Sequence, residues 1–147
     1  MKRNLILLLM PTVFATIAFA QFRKIPAEVT DAFKIRYPHA EKVEWKDKVS
    51  SFEAGFILND FEMSANFSSK GEWERSEKKI KFADLPQEVA DGFEKSKYTD
   101  WEKSSTIEID ESGEPLIYRV LIKKSGVQKK YLYFDTNGRL KKEALTL

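Results

Sequence analysis

The spacing of apolar residues along this chain changes from helical to extended and then does so again. Val29, Phe33 and Tyr37 stand four residues apart with Ala32 between them, one apolar stripe at helical spacing. Pro26 suits the first helical position, Glu28 falls where the helix dipole favours a carboxylate, and Pro38 stops the helix. Beyond it the period becomes two. Val43 and Trp45 alternate with Glu44 and Lys46, and Phe52, Ala54, Phe56 and Leu58 alternate with Glu53, Gly55 and Ile57. Phe61, Met63, Ala65 and Phe67 then alternate with Glu62, Ser64 and Asn66. Strict alternation predicts a sheet with one packed face and one wet face. Asn59-Asp60, Ser125-Gly126 and Asn137-Gly138 sit between such runs and read as hairpin turns.

The whole pattern then recurs. Ile25-Pro26-Ala27-Glu28-Val29-Thr30-Asp31-Ala32-Phe33 aligns with Leu85-Pro86-Gln87-Glu88-Val89-Ala90-Asp91-Gly92-Phe93 at an offset of 60, with five identities in nine positions. Phe67-Ser68-Ser69-Lys70-Gly71 aligns with Phe134-Asp135-Thr136-Asn137-Gly138 at an offset of 67, so the second copy carries about seven extra residues, best placed around Glu111-Ser112-Gly113-Glu114-Pro115. Each copy predicts a helix followed by about four antiparallel strands. The expected fold is α+β: a tandem duplication, residues 21–80 and 81–147, packed as one unit. One curved antiparallel sheet carries both helices on one face and leaves the other open.

The first twenty residues stand outside this pattern. Met-Lys-Arg-Asn precedes an apolar run over residues 5–20, which ends Ala18-Phe19-Ala20 before Gln21. A cationic start, an apolar middle and small residues at −3 and −1 are the layout of a signal peptide cleaved after Ala20. A membrane anchor is the rival, but sixteen residues interrupted by Pro11 fall short of the roughly 20 that span a bilayer. An exported protein, periplasmic or secreted, is expected, with no stable membrane span after cleavage.

Cleavage would remove Lys2 and Arg3, so the 25 basic residues fall to 23 against 23 acidic ones. A formally neutral mature chain lacks the cation surplus that displaces phosphate counterions, which argues against nucleic acid as a partner. The absence of cysteine excludes disulfides, thiolate metal sites and cysteine nucleophiles, and a single histidine excludes any site needing two imidazoles.

The catalytic candidates are thin. His39 would have to serve any Ser-His-acid triad, yet no Gly-x-Ser-x-Gly nucleophile turn is present, and it reads as a solvated loop residue. Glu72/Glu74 and Asp110/Glu111/Glu114 are chance pairings among 23 acids, with no spacing that places two carboxyls across a cleft. Asp135-Thr136-Asn137-Gly138 echoes the start of a calcium loop but lacks the later ligands and the closing Glu. Asn66-Phe67-Ser68 is a glycosylation triplet inside a predicted strand. No enzyme activity, metal or cofactor is expected.

Charge and aromatics mark out the second copy. Residues 81–118 hold 4 basic and 10 acidic residues, while 119–147 hold 8 and 2. Cross-strand pairing with the acidic strand of Glu102, Glu108 and Asp110 accounts for this, and a basic patch for an anionic partner or membrane surface is the alternative. Aligning Phe134 with Phe67 puts Leu132 and Phe134 on the helix-covered face and Tyr131 and Tyr133 on the open one. With Tyr118 sharing that face, three tyrosines would stand among Arg119, Lys124 and Lys130. Copy one offers Glu62, Ser64 and Asn66 at comparable places. Tyrosine is enriched at the energetic centres of interfaces, and it is also simply a good strand former.

The pattern resembles the PepSY-like family of small exported bacterial proteins described as β-lactamase-inhibitor-like. The likeness rests on Ile25-Pro26, Phe33 and Tyr37-Pro38 in copy one. In copy two it rests on Leu85-Pro86, Phe93 and Tyr131-Leu132-Tyr133-Phe134-Asp135-Thr136-Asn137-Gly138. It extends from about Arg23 to Leu140, and Lys97-Tyr98-Thr99 departs from it where Arg36-Tyr37-Pro38 stands in copy one. The resemblance implies a tandem helix-plus-sheet module with a binding or inhibitory role and supplies no catalytic residue. The resulting expectation is a non-catalytic exported binding module. It would hold a protein or peptide on its open sheet face and could inhibit a secreted or periplasmic hydrolase. The alternative is a binder of a small ligand or envelope glycan through the same aromatics.

Overall fold

The computed structural model describes residues 24–146. Its element order is α1 (Ala27–Arg36), β1 (Glu41–Asp47), β2 (Ser51–Leu58), β3 (Phe61–Ser68) and β4 (Trp73–Ile80), then a 3₁₀ turn (Phe82–Asp84), α2 (Gln87–Glu94), β5 (Glu102–Glu111), β6 (Ile117–Lys123), β7 (Lys129–Asp135) and β8 (Leu140–Leu145). Every strand pairs antiparallel with its neighbour in sequence, giving one open eight-stranded sheet in the order β1 to β8. The junction between the halves is an ordinary ladder: β4 pairs β5 from Arg75 opposite Glu111 to Ile80 opposite Thr106. The expected signal peptide, residues 1–20 with cleavage after Ala20, lies outside the described residues. No helix among the described residues is long and apolar enough to cross a membrane.

Both prolines act one position earlier than expected. Pro26 and Pro86 are the N-caps, with ψ of 149° and 144°. Their carbonyls accept the first helical hydrogen bonds, from Val29 and Thr30 and from Val89 and Ala90. A cap needs extended ψ and its carbonyl, not its N–H, so proline serves there as well as at the next position.

Each helix closes its own core. Val29 and Phe33 of α1, with Tyr37, pack on Phe52, Ala54, Phe56, Ala65 and Phe67. Val89 and Phe93 of α2, with Leu85 and Tyr98, pack on Tyr118, Val120, Ile122, Leu132 and Phe134. Phe33 meets Trp45 and Phe56 edge-on, with centroids 5.3 and 5.0 Å apart, the geometry that aromatic quadrupoles favour. One register row, Phe56–Met63–Lys78–Glu108–Tyr118–Phe134, runs from β2 to β7 and contains core residues of both clusters.

The turns match the sequence reading. Asn59 and Asp60, at φ 49° and 67°, make the two-residue hairpin that their left-handed tolerance suits. The segment with a calcium-loop start is a hairpin turn: Asp135 Oδ1 accepts from the backbone N–H of Asn137 at 3.0 Å and Arg139 at 2.9 Å. Gly71 and Gly138, at φ +82° and +75°, press their turns onto the first turns of α1 and α2. A Cβ would stand 2.5 Å from the Glu28 carbonyl oxygen in one case and 1.9 Å from that of Glu88 in the other. The same contact thus recurs in each half.

Candidate functional site

Residues alternating with the core positions form the other side of the sheet. In the first half that side is ordinary wet-face chemistry: Glu53, Ser64, Asn66 and Glu62, with Glu53 paired to Lys46 and Lys48. In the second half it changes character. β5 contributes Ile107 and Ile109, β6 contributes Ile117, Arg119 and Leu121, and β7 contributes Tyr131 and Tyr133. Two adjacent rows are Ile107–Arg119–Tyr133–Lys142 and Leu121–Tyr131–Ala144. Ile109 is only 1% exposed although it belongs to neither core cluster.

Cations order this face. The Arg119 guanidinium lies 5.2 Å from the Tyr131 ring centroid and Lys142 Nζ lies 5.3 Å from that of Tyr133, while the two rings are 6.5 Å apart. Arg119 also donates to Glu77 Oε2 at 2.8 Å, and Arg75 donates to the other oxygen of the same carboxylate. Glu77 therefore clamps two guanidinium groups at the border between polar and apolar halves. The Nε–H groups of Arg75 and Arg119 are buried without a hydrogen-bond partner. Beside them opens a groove of about 870 Å³ lined by Ile109, Ile117, Arg119, Tyr133 and Lys142. Glu111, Glu114 and Asp135 line the groove as well, and half-buried rings and apolar side chains rimmed by charges of both signs can hold an apolar surface with polar edges. Among the described residues no group of three or more His, Asp or Glu side chains is placed to hold a metal ion, and His39 is exposed in the turn after α1.

Of the six residues singled out from the sequence, Arg119, Tyr131 and Tyr133 come together on this face. The other three do not. Tyr118 stands opposite Phe134 in the ladder, so its ring enters the α2 core, where it is 5% exposed. Burial, and next the negative charge of Glu108 opposite it in the ladder, push its phenol above the ordinary value. Alternation decides the matter: residues 118 and 119 must point to opposite faces, and 119 pairs with Tyr133. Lys130 stands opposite Ile122, a core position. Its ammonium donates to the Tyr98 hydroxyl at 2.9 Å and to Glu143 at 3.3 Å. The Tyr98 hydrogen bond is the main reason its pKa is raised, and the same hydroxyl is the main reason that of Glu143 is lowered. Lys124 begins the β6–β7 turn, 6.0 Å from the Trp101 ring, which packs against the α2 core.

Ile107, Ile109, Ile117, Leu121, Arg75 and Glu77 escaped the sequence reading. Their signal was present in β5, where Ile107 and Ile109 alternate with Glu108 and Asp110. An apolar set is expected to face a helix, and here the acidic set shares the core side while the isoleucines face the other way.

The chain matches the family model described as "Putative beta-lactamase-inhibitor-like, PepSY-like" over residues 50–142, more than half its length. Among solved structures it is similar to a BLIP-like protein from Bacteroides fragilis (24% identity, TM-score 0.81, covering 86% of this chain and 89% of that one). It is also similar to a DUF2874 family protein from Bacteroides ovatus (22%, 0.80, 84% and 89%). A third similar structure is described as putative periplasmic, from Bacteroides eggerthii (20%, 0.79, 84% and 90%). No curated protein matches the sequence. Those structural likenesses bear on the fold, while the family match rests on the sequence of the strand-rich region that builds the site: the chain belongs to the PepSY-like, beta-lactamase-inhibitor-like family.

Proposed function

We propose that this protein is a non-catalytic exported binding module that holds a protein or peptide partner on the β5–β8 part of its open face. Arg119, Tyr131 and Tyr133 are the central contacts and Ile117 and Leu121 the apolar surround. The observation that carries the reading is the asymmetry of that face. Where β2 and β3 present Glu53, Glu62, Ser64 and Asn66, the second half presents isoleucine, leucine and tyrosine. Contiguous apolar groups on a surface otherwise made polar mark an interaction site more often than scattered ones do. Inhibition of a secreted or periplasmic hydrolase is the sharper form of this proposal and draws on the family's description.

The duplication belongs to the same reading. Residues 21–80 and 81–147 descend from one module and pack as a unit, with both helices on one side of the sheet and the other side free for a partner. Equivalent contacts at equivalent places support it: Gly71 against Glu28 and Gly138 against Glu88, and Tyr37 hydrogen-bonded to Ser76 on β4 as Tyr98 is to Glu143 on β8.

Immobilised wild-type protein, beside the Tyr131→Ala/Tyr133→Ala double variant, tests the proposal in envelope extract. One protein retained by the wild type and lost by the folded variant is expected, and that protein is then assayed for inhibition. Equal retention by both would remove the tyrosines from the site. The second reading, a small-ligand or glycan site, is favoured by the 870 Å³ groove beside Tyr133. It predicts saturable binding of a soluble oligosaccharide and no retained protein.

A further inference from the structure

On the core side of the sheet, between the two helix-capped clusters, β4 and β5 leave a cleft of about 410 Å³. Its floor is built from Ser76 and Lys78 of β4 and from Glu108 and Asp110 of β5, with Lys78 opposite Glu108 and Ser76 opposite Asp110. Arg36 and Tyr37, at the end of α1, form one wall. The charges are sorted by origin. Both cations come from the first half and both carboxylates from a single strand of the second, so the cleft is positive along one wall and negative along the other.

These charges face one another without closing. Arg36 NH2 stands 3.8 Å from Asp110 Oδ2, and Lys78 Nζ stands 3.8 Å from Glu108 Oε1. A charge-assisted hydrogen bond would bring each pair to about 2.8 Å. Arg36 is nevertheless held by its neighbours on the cleft wall, and Lys78 Nζ lies 4.4 Å over the Phe61 ring. Arg36 lies 3.6 Å over the Trp73 ring and its Nε donates to the Tyr37 hydroxyl at 3.3 Å. The Tyr37 hydroxyl in turn shares a hydrogen bond with Ser76, whose Oγ accepts from Trp73 Nε1 at 2.7 Å. Glu108 stands opposite the buried Tyr118 in the ladder. Held but unclosed opposite charges are preorganised for a ligand that carries both signs.

We propose that this seam cleft binds a small zwitterion, a free amino acid or a dipeptide with both ends free. Its carboxylate would lie toward Arg36 and Lys78 and its ammonium toward Glu108 and Asp110. The ligand replaces each long contact by short ones to both of its ends. The cleft's volume falls within the roughly 300–1,000 Å³ typical of small-molecule sites and excludes a folded partner. This site is on the opposite side of the sheet from Tyr131 and Tyr133, so it stands or falls separately from the binding module proposed above.

The test is an amide NMR titration of the folded protein with alanyl-alanine, its N-acetyl form, its C-terminal amide and the doubly blocked compound. The free dipeptide is expected to give saturable shifts at Lys78, Glu108 and Asp110. Blocking either end should weaken binding at least about tenfold, since each removes one charged partner. Arg36→Gln and Asp110→Asn should each do the same to the free dipeptide. Absence of shifts up to about 10 mM, weaker than any affinity worth calling specific, would overturn the proposal. So would equal binding of the doubly blocked compound, or shifts confined to the strands of Tyr131 and Tyr133. The blocked-ligand series needs no variant, so a misfolded Arg36→Gln protein does not decide the outcome.

Discussion

At Gly138 the backbone runs at φ +75° and the place of a Cβ is taken by the Glu88 carbonyl. An alanine there meets two penalties, the left-handed conformation at about 1–2 kcal/mol and a contact only backbone movement can relieve. Gly113 has the same φ sign, at +80°, but nothing within 4 Å of its would-be Cβ. Gly138→Ala is therefore expected to lower unfolding free energy by clearly more than Gly113→Ala, which should stay near the conformational cost alone. Urea denaturation of both variants measures the difference. Tyr98 offers a second residue-level test. Its hydroxyl, ahead of Lys130, holds Glu143 below the ordinary carboxyl value. That contribution is present above the ordinary value and lost as pH falls through the folded one. The same hydroxyl, ahead of Glu143, holds Lys130 above its ordinary value, so that contribution is present below the ordinary value and lost as pH rises through the folded one. Tyr98→Phe should lower Tm at neutral pH and by progressively less toward the acid and alkaline extremes, so that its profile of Tm against pH is flatter than that of the wild type. An unchanged pH profile would show the network to be incidental.

At the scale of elements, the alternation of Phe52 to Leu58 and Phe61 to Phe67 reported both the strands and their packed side, because Phe52, Ala54, Phe56, Ala65 and Phe67 all pack in the α1 core. β5 broke the rule. Its isoleucines and acids alternate as strictly as any strand, but the packed face there is the seam between two cores, where Glu108 and Asp110 meet Lys78 and Arg36 instead of a helix. Tyr118 was misplaced for the same reason: a tyrosine reads equally well as a core ring or a surface anchor, and only its register opposite Phe134 decides. Lys130 was misread because its partner Tyr98 is 32 residues away in sequence. The helices, by contrast, were legible down to their capping prolines, displaced by one position. Two separate cores also make a prediction. Phe93→Ala, in the α2 core, should cost about 3–5 kcal/mol and raise amide exchange first in β6 and β7, with β2 and β3 less affected. Uniform loss of protection would mean that the halves unfold as one unit.

Across the whole molecule, one continuous sheet joins two halves that differ chiefly on the side away from their core residues. The edges are guarded. β1 is bulged between Glu41 and Glu44 with Lys42 at φ 52°, and β8 pairs with an irregularity between Tyr133 and Phe134 opposite the run of Lys141 and Lys142. Strand addition is thereby discouraged at both ends, which leaves the face as the broader surface for a partner. Family and fold follow from features repeated in both halves, whereas the proposed site follows from what the second half does not share with the first. The central claim is that binding resides in that second half. The most direct measurement compares the retained partner's affinity for Leu121→Arg and Ser64→Arg, two half-buried positions on the same face but in different halves. A loss of at least about tenfold, or 1.4 kcal/mol, for Leu121→Arg with wild-type affinity for Ser64→Arg is the predicted result. Equal affinities, or a loss only with Ser64→Arg, would contradict the account.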